Sequence, residues 1–202
     1  MSGKLYLQRK DMSIITVIYI NHSQAIKLKL TLQKAKPKHI SELCNLVNLA
    51  YRGEHGWTKE THLVAGERTT HEEVEGYLSN PNAHLFIALN NNENVIACIC
   101  IEVKEDYAYF GFFAVHPSLQ GAGVGKQILA LAEALATKEW KVKKFAMVVI
   151  SQRKKLISFY ERRGYIKTGD INDYPTHLNV GKPLKSGLTI TCLEKRLLIS
   201  KN

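Results

Sequence analysis

Seven consecutive residues, Gln120-Gly121-Ala122-Gly123-Val124-Gly125-Lys126, are of the types and spacing that hold an anion. They follow the apolar run Tyr109-Phe110-Gly111-Phe112-Phe113-Ala114-Val115 and lead, through His116-Pro117-Ser118-Leu119, into an Ala- and Leu-rich stretch. The order reads as strand, proline stop, glycine-rich turn and helix start. Unpaired N–H groups and the positive end of the helix dipole favour negative charge there. Glycines without Cβ let a phosphate approach the backbone. The ligand expected is one bearing phosphate or pyrophosphate; the plain alternative is a glycine-rich turn that binds nothing. A P-loop is excluded, because Gly125-Lys126 is followed by Gln127 rather than Ser or Thr. A dinucleotide fingerprint is excluded as well: its third glycine would fall on Lys126 or Ile128.

Other reactive residue types do not form a second site. Cys44, Cys98, Cys100 and Cys192 make no Cys-x-x-Cys pair. Cys98 and Cys100 share one face of a strand, and His84 with them leaves a fourth metal ligand missing. Free thiols buried in a reducing compartment are the reading, and no metal is expected. The net charge is +10, but the lysines and arginines are scattered and not interleaved with aromatics, so no nucleic-acid footprint is read. Lys4, Arg9 and Lys10 before Met12–Ile20 look like a short signal peptide, with Ser23-Gln24-Ala25 as its cleavage site. Asp11 and the nine-residue length of the run count against that, and the run is too short to cross a bilayer. An extra strand or a non-native leader is expected there, in a cytoplasmic protein without a membrane partner.

The elements that must position the glycine turn can be read around it. The chain of 202 residues suits one domain, taken as 26–197 after an extension at 1–25. Alternation makes 26–36 a half-buried strand, and Pro37 opens a helix with Ile40, Leu43, Cys44, Leu46, Val47 and Ala50 on one face. A glycine-containing loop at 51–60 leads to a short helix capped by Thr58 and stopped at Gly66. Thr70-x-x-Glu73 is a capping box for the next helix. His84–Leu89, Val95–Val103 and Tyr107–Val115 form an antiparallel meander. After the turn and its helix, Phe145–Ile150 is a continuous apolar run, expected to be a strand buried on both faces. A helix ends at Gly164, residues 170–187 read mostly as loop, and Leu188–Leu197 is a last strand.

Two segments together carry a family resemblance. Gln120-x-x-Gly123-x-Gly125 after a strand ending in Ala-Val-x-Pro looks like the acyl-CoA pyrophosphate loop of the GNAT N-acetyltransferase superfamily. Phe159-Tyr160-Glu161-Arg162-Arg163-Gly164-Tyr165 resembles its later helix, with Tyr160 lying 34 residues after Lys126. Gly56-Trp57-Thr58 and Gly66-Glu67-Arg68 further resemble an uncharacterised bacterial subgroup. The resemblance covers roughly 26–197. It implies an α/β fold of α+β type: a mixed, mostly antiparallel twisted sheet flanked by helices, with a central parallel strand–helix–strand step. Gln120 stands where many members carry Arg. Arg153 stands where many carry Asn, so the hydrogen bond usually assigned to that Asn is not carried over.

The activity implied is direct transfer of acetyl from acetyl-CoA to a primary amine of a small molecule or of a peptide or protein. Phe113, Ala114 and Val115 would pair with pantetheine, and a backbone N–H near Val115 would polarise the thioester. Gln120, Gly121, Ala122, Gly123, Val124, Gly125 and Lys126 would hold the pyrophosphate, with Phe159 and Tyr160 beside the cofactor. Tyr160 would protonate the leaving thiolate. Trp57, Glu67, Arg68 and Glu102 are candidates for the acceptor side. The general base is open among Glu102, Glu54, Glu67 and a water chain. The amine acceptor, a longer acyl donor and a homodimer are also left open. The alternative of a different class is a non-catalytic acyl-CoA-binding regulatory module.

Overall fold

The computed structural model describes residues 6–9, 14–18, 30–178 and 180–197. Its strands are β1 (Tyr6–Arg9), β2 (Ile14–Ile18), β3 (Thr31–Lys34), β4 (Val64–Ala65), β5 (Ala83–Leu89), β6 (Val95–Lys104), β7 (Tyr107–Val115), β8 (Lys144–Ile150), β9 (Ile166–Asp173), β10 (Lys182–Pro183) and β11 (Thr189–Arg196). Its helices are α1 (Ile40–Arg52), α2 (His71–Ser79), α3 (Val124–Trp140) and α4 (Lys154–Glu161). Among the described residues nine strands form one sheet in the order β1-β2-β3-β5-β6-β7-β8-β11-β9, while β10 and β4 pair separately. Every neighbour pair is antiparallel except β7 and β8. The expected mixed sheet and its parallel step around α3 are therefore present. The extra strand expected within Met12–Ile20 is found at Ile14–Ile18, joined to β3. Residues 19–29, with the candidate cleavage site, lie outside the described residues.

Local chemistry accounts for the helices that frame the site. The apolar face of α1 buries Leu43, Cys44, Leu46, Val47 and Ala50. Its first-turn Glu42 accepts the Val95 N–H at 2.9 Å, tying the helix to β6. Thr70 caps α2, its hydroxyl accepting the Glu73 N–H at 3.2 Å. These two helices pack with Cys98, Cys100, Phe112 and Ala114 on one face of the sheet. On the other face α3, with Ile128, Leu129, Leu131 and Leu135, and α4, with Ile157 and Tyr160, pack on Ile99, Ile101 and Phe110.

One irregularity in β7 reorganises its faces. Cys98 pairs with Ala114 but Cys100 pairs with Gly111, so Phe112 and Phe113 both stand opposite Ile99. This is a β-bulge, and Phe112 adopts φ +49° within it. Before the bulge, Ala108 and Phe110 face α3; after it, Phe113 and Val115 do, while Phe112 and Ala114 turn toward α1. A bulky residue at positive φ is uncommon and marks a place where geometry is imposed by its surroundings.

Three expectations are corrected. The segment after Thr58 is not a helix: the Glu60 carbonyl accepts from both Leu63 N–H and Val64 N–H, forming a tight turn, and β4 then pairs with β10. Val148 is 39% exposed, so Phe145–Ile150 is not buried on both faces; one face opens onto a cavity. Residues 170–173 continue β9 rather than beginning a loop, because β11 supplies ladder partners up to Asp173. His84 stacks on Trp140 at 4.4 Å, which gives that imidazole a packing role.

Candidate active site

The sheet splits at its centre. β7 and β8 pair only through Tyr107–Tyr109 and Lys144–Ala146. Beyond that, β7 stays on β6 and β8 stays on β11, and the two central strands part. The split leaves backbone polar groups of Phe110–Val115 without a sheet partner on that side. The His116 N–H donates to Ile96 O at 2.9 Å. Strand alternation therefore aims the Val115 N–H away from β6, into the split.

Two cavities open along this split. One, of about 260 Å³, is lined by Trp57, Val115, Gly121, Gly123, Gly125, Lys126, Phe159 and Arg163 among others. The other, of about 510 Å³, is lined by Arg68, Glu73, Tyr77, Glu102, Tyr109 and the exposed side of β8 among others. Tyr51, Phe113, Arg153, Leu156 and Tyr160 line both. The two cavities adjoin at these five residues, where a group held in one can meet a group held in the other.

The first cavity is built by the glycine turn. Gly121 and Gly123 have φ of +86° and +84°, the left-handed region that favours glycine. Gly123 is the N-cap of α3 and offers no capping side chain. The first backbone hydrogen bond of α3 runs from Gln127 N–H to Gly123 O. The N–H groups from Gly121 to Lys126 thus have no acceptor among the described residues, and an anion would serve as their cap. A Cβ on Gly125 would lie 3.7 Å from both Phe159 Cζ and Val115 Cγ2 and would occupy the cavity floor. The glycine therefore keeps ligand space open. Trp57 and Phe159 form an aromatic wall, with ring centroids 5.9 Å apart.

Gln120 does different work from that expected. Its side-chain carbonyl accepts the N–H groups of Trp57 (3.0 Å) and Thr58 (3.3 Å). Its amide donates to Thr58 Oγ1 (2.7 Å) and Val115 O (3.0 Å). The side chain latches loop 56–58 onto the end of β7 and has no donor left for a ligand. Gln120→Ala is expected to lower stability by about 1–3 kcal/mol through these lost bonds, measured by denaturant unfolding.

The junction is held by a buried ion network. Glu60, buried to 3% exposure, pairs with Arg52 Nη1 and with Arg153 Nη1, the latter at 2.9 Å. Arg153 also donates to Thr58 O, and its guanidinium stands 5.6 Å from the Tyr51 ring. Tyr51 Oη donates to Phe113 O at 2.9 Å, fixing the bulged strand from the α1 side. Tyr160 is buried, and its hydroxyl has no hydrogen-bond partner among the described residues. Burial pushes its phenol well above the ordinary tyrosine range, reinforced by Tyr51 and opposed by Arg153 and Arg163. It is a protonated donor at neutral pH, placed where the cavities meet.

The structure sorts the other sequence candidates. Arg68 and Glu102 line the larger cavity. Trp57 lies on the smaller cavity, not on the acceptor side where it was expected, because Gln120 holds its backbone there. Glu67 is exposed and borders a separate shallow depression with Asn48 and Gly66, so it does not reach the site. Glu54 is exposed and lines neither cavity, which leaves Glu102 as the carboxylate from the sequence candidates that does. Ala114 is buried against α1, and Ala122 and Val124 contribute backbone rather than cavity wall. Tyr51, Glu60, Glu73, Tyr77, Tyr109 and Arg163 line the cavities and were not among the sequence candidates. Among the described residues no group of His, Cys, Asp or Glu converges as a metal site, and no helix is long and apolar enough to cross a membrane.

Comparison with known proteins places this geometry in context. The model of the acetyltransferase (GNAT) family matches residues 43–165, more than half of the chain. A search of the curated proteins finds no match. Among solved structures, the chain is similar to the spermidine N-acetyltransferase from Vibrio cholerae in complex with CoA and spermine, with 16% identity, TM-score 0.62, and 83% of this chain and 95% of that one covered. It is also similar to the ribosomal-protein-S18-alanine N-acetyltransferase from Escherichia coli, with 16% identity, TM-score 0.60, and coverage of 86% and 97%. At these identities the structural likeness concerns the fold.

Proposed function

Because the chain belongs to the acetyltransferase (GNAT) family, we propose that it transfers acetyl from acetyl-CoA directly to a primary amine. The observation that carries this reading is the meeting of two cavities at Tyr160. One cavity has the glycine turn as its floor; the other is lined by ionisable and aromatic side chains.

The donor fits the smaller cavity. The unpaired N–H groups of Gly121–Lys126 hold the pyrophosphate, with Lys126 and Arg163 as nearby cations. Pantetheine lies along the free edge of Phe113–Val115 as a short additional strand. The thioester then reaches the junction, where the Val115 N–H stabilises charge developing on its carbonyl oxygen.

The acceptor amine enters from the larger cavity. Its nitrogen forms a bond to the thioester carbon, giving a tetrahedral oxyanion. The carbon–sulfur bond breaks as the oxyanion collapses. Tyr160 gives its proton to the departing thiolate, and the proton lost by nitrogen passes toward Glu73 and Glu102 in the larger cavity. Orientation across the junction supplies much of the acceleration, and no covalent enzyme intermediate is needed.

The test is calorimetric titration with CoA, followed by thiol release from acetyl-CoA across a panel of small amines, peptides and proteins. CoA binding with amine-dependent thiol release is expected. Binding without turnover on any amine class would favour the regulatory acyl-CoA-binding module, and absence of CoA binding would overturn both. Gly125→Leu is expected to weaken CoA binding about 100-fold, as filling the cavity floor displaces charge-assisted hydrogen bonds of about 1.5–3 kcal/mol each. The same titration checks it, with the melting temperature as control for folding.

A further inference from the structure

The larger cavity holds Arg68, whose guanidinium makes no hydrogen bond among the described residues. Arg68, Arg153 and Arg163 line the two cavities, and Arg52 stands behind them, paired with Glu60. Arg52 donates Nε to Gly66 O (2.8 Å), Nη2 to Val180 O (2.9 Å) and Nη1 to Glu60. Arg153 is bound by Glu60 and Thr58 O; Arg163, on the smaller cavity, donates Nη1 to Phe159 O, while its Nε is buried without a partner among the described residues. No N–H of the Arg68 guanidinium reaches an acceptor among the described residues. Its nearest carboxylate oxygen, Glu73 Oε1, is 3.7 Å from Nη1, beyond hydrogen-bond distance. Nη1 is also closed to solvent, so water cannot satisfy it.

Arg68 is held in this position. Its backbone N–H donates to Asn48 Oδ1 at 2.7 Å. Its guanidinium stands 5.5 Å from the centre of the Tyr51 ring, and the hydroxyl of that ring contacts Phe113 O at the split. The Arg68 guanidinium is therefore one tyrosine ring away from the junction. A largely buried guanidinium with unused donors is unfavourable, and an anion in the cavity relieves it through the donors on its accessible side, the side chain being 18% exposed. The guanidinium fork matches a carboxylate with two parallel hydrogen bonds.

The carboxylates in the cavity narrow the ligand further. Glu60 is already paired with two arginines, and Glu102 pairs with Lys104 at 3.3 Å. Glu73, 3.7 Å from Arg68, and Glu102, beside Lys104, also line the cavity wall, where their charge favours a ligand amine and disfavours a multiply charged anion. One guanidinium with unused donors beside these carboxylates matches a ligand with one negative and one amine end. Resting on the reading of the cavities given above, we propose that the acceptor is an amino-carboxylate of amino-acid size, whose carboxylate is bound by Arg68 and whose amine faces the junction at Tyr160 and Phe113.

The experiment compares matched acceptors in the thiol-release assay: α- and ω-amino acids against their carboxamides and against decarboxylated amines, with spermidine and a peptide N-terminus included. Wild-type protein should prefer amino acids over their carboxamides by about 100-fold or more in kcat/KM. Arg68→Gln should reduce that preference to a few-fold. Arg68→Lys, which keeps the charge but not the fork, should give an intermediate ratio and covers the case in which the glutamine variant does not fold. The preference is a ratio within one protein, so a loss of folded material does not imitate the result. The melting temperature of the CoA complex gives a second readout: amino acids should raise it in wild type and not in Arg68→Gln. Equal or better use of carboxamides, spermidine or a peptide by wild type would overturn the proposal, as would an unchanged ratio or thermal shift in the variants. CoA binding is measured separately, so failure of the donor site is distinguished from failure of this assignment.

Discussion

Tyr160→Phe is expected to lower kcat by about 10²–10⁴-fold, the range over which a positioned general acid contributes. The substitution removes one hydroxyl and keeps the ring that packs on Phe159 and Tyr165, with centroids 5.2 and 5.8 Å away. The hydroxyl makes no hydrogen bond among the described residues, so its loss leaves no buried partner exposed. The stability change should be small, and KM for acetyl-CoA should barely move. The pH profile gives an independent check. The protonated phenol is the active form, and its pKa is raised chiefly by burial and then by Tyr51. Activity carried by this group should therefore persist as pH rises past the ordinary tyrosine value of about 10 and be lost only above it. Steady-state kinetics of both proteins across pH measure this. A Tyr160→Phe variant with the wild-type kcat would remove the proposed acid.

Glu60→Ala is expected to cost about 3–5 kcal/mol of folding stability, because removing one partner of a buried ion network strands the other charges. Here two guanidinium groups, Arg52 and Arg153, would lose their carboxylate at once. Arg52 would still hold Gly66 O and Val180 O, and Arg153 would still hold Thr58 O, so the fold should survive in weakened form. The same network joins α1, the 56–60 loop, the 180s loop and the start of α4. Its loss should loosen the wall shared by both cavities and lower kcat/KM along with stability. Chemical denaturation of the two proteins measures the first effect and steady-state rates measure the second. A change below about 1 kcal/mol would mean that Glu60 is not the organising charge of the junction.

Much of this was legible in the chain because it is carried by contiguous residues. Gly121, Gly123 and Gly125 before an Ala- and Leu-rich helix announce an anion turn, and Phe159-Tyr160 on the following helix brings the second half of the junction. The meander and the parallel step followed from strand lengths and from the helix between them. The bulge at Phe112 was not legible: Tyr109–Val115 reads as a regular strand, and only the pairing with Cys98 and Cys100 reveals the extra residue. That bulge decides which side chains face the donor cavity. The Glu60 network was hidden for a different reason. Arg52 lies eight residues before Glu60 but Arg153 lies 93 after it, and no local pattern joins such distant partners. Trp57, Glu67 and Arg68 looked alike as loop residues, and their tertiary contacts divided them. Gln120 drew Trp57 to the donor side, Asn48 held Arg68 over Tyr51, and nothing turned Glu67 inward.

The central claim is that the glycine turn and the split between β7 and β8 hold an acyl-CoA whose thioester ends at Tyr160. A crystal structure of the protein with bound CoA tests it most directly. The account predicts pyrophosphate oxygens within hydrogen-bond distance of the Gly121–Lys126 N–H groups, pantetheine along Phe113–Val115, and the thiol beside the Tyr160 hydroxyl. CoA bound elsewhere on the chain, or with its thiol directed away from Tyr160, would contradict it.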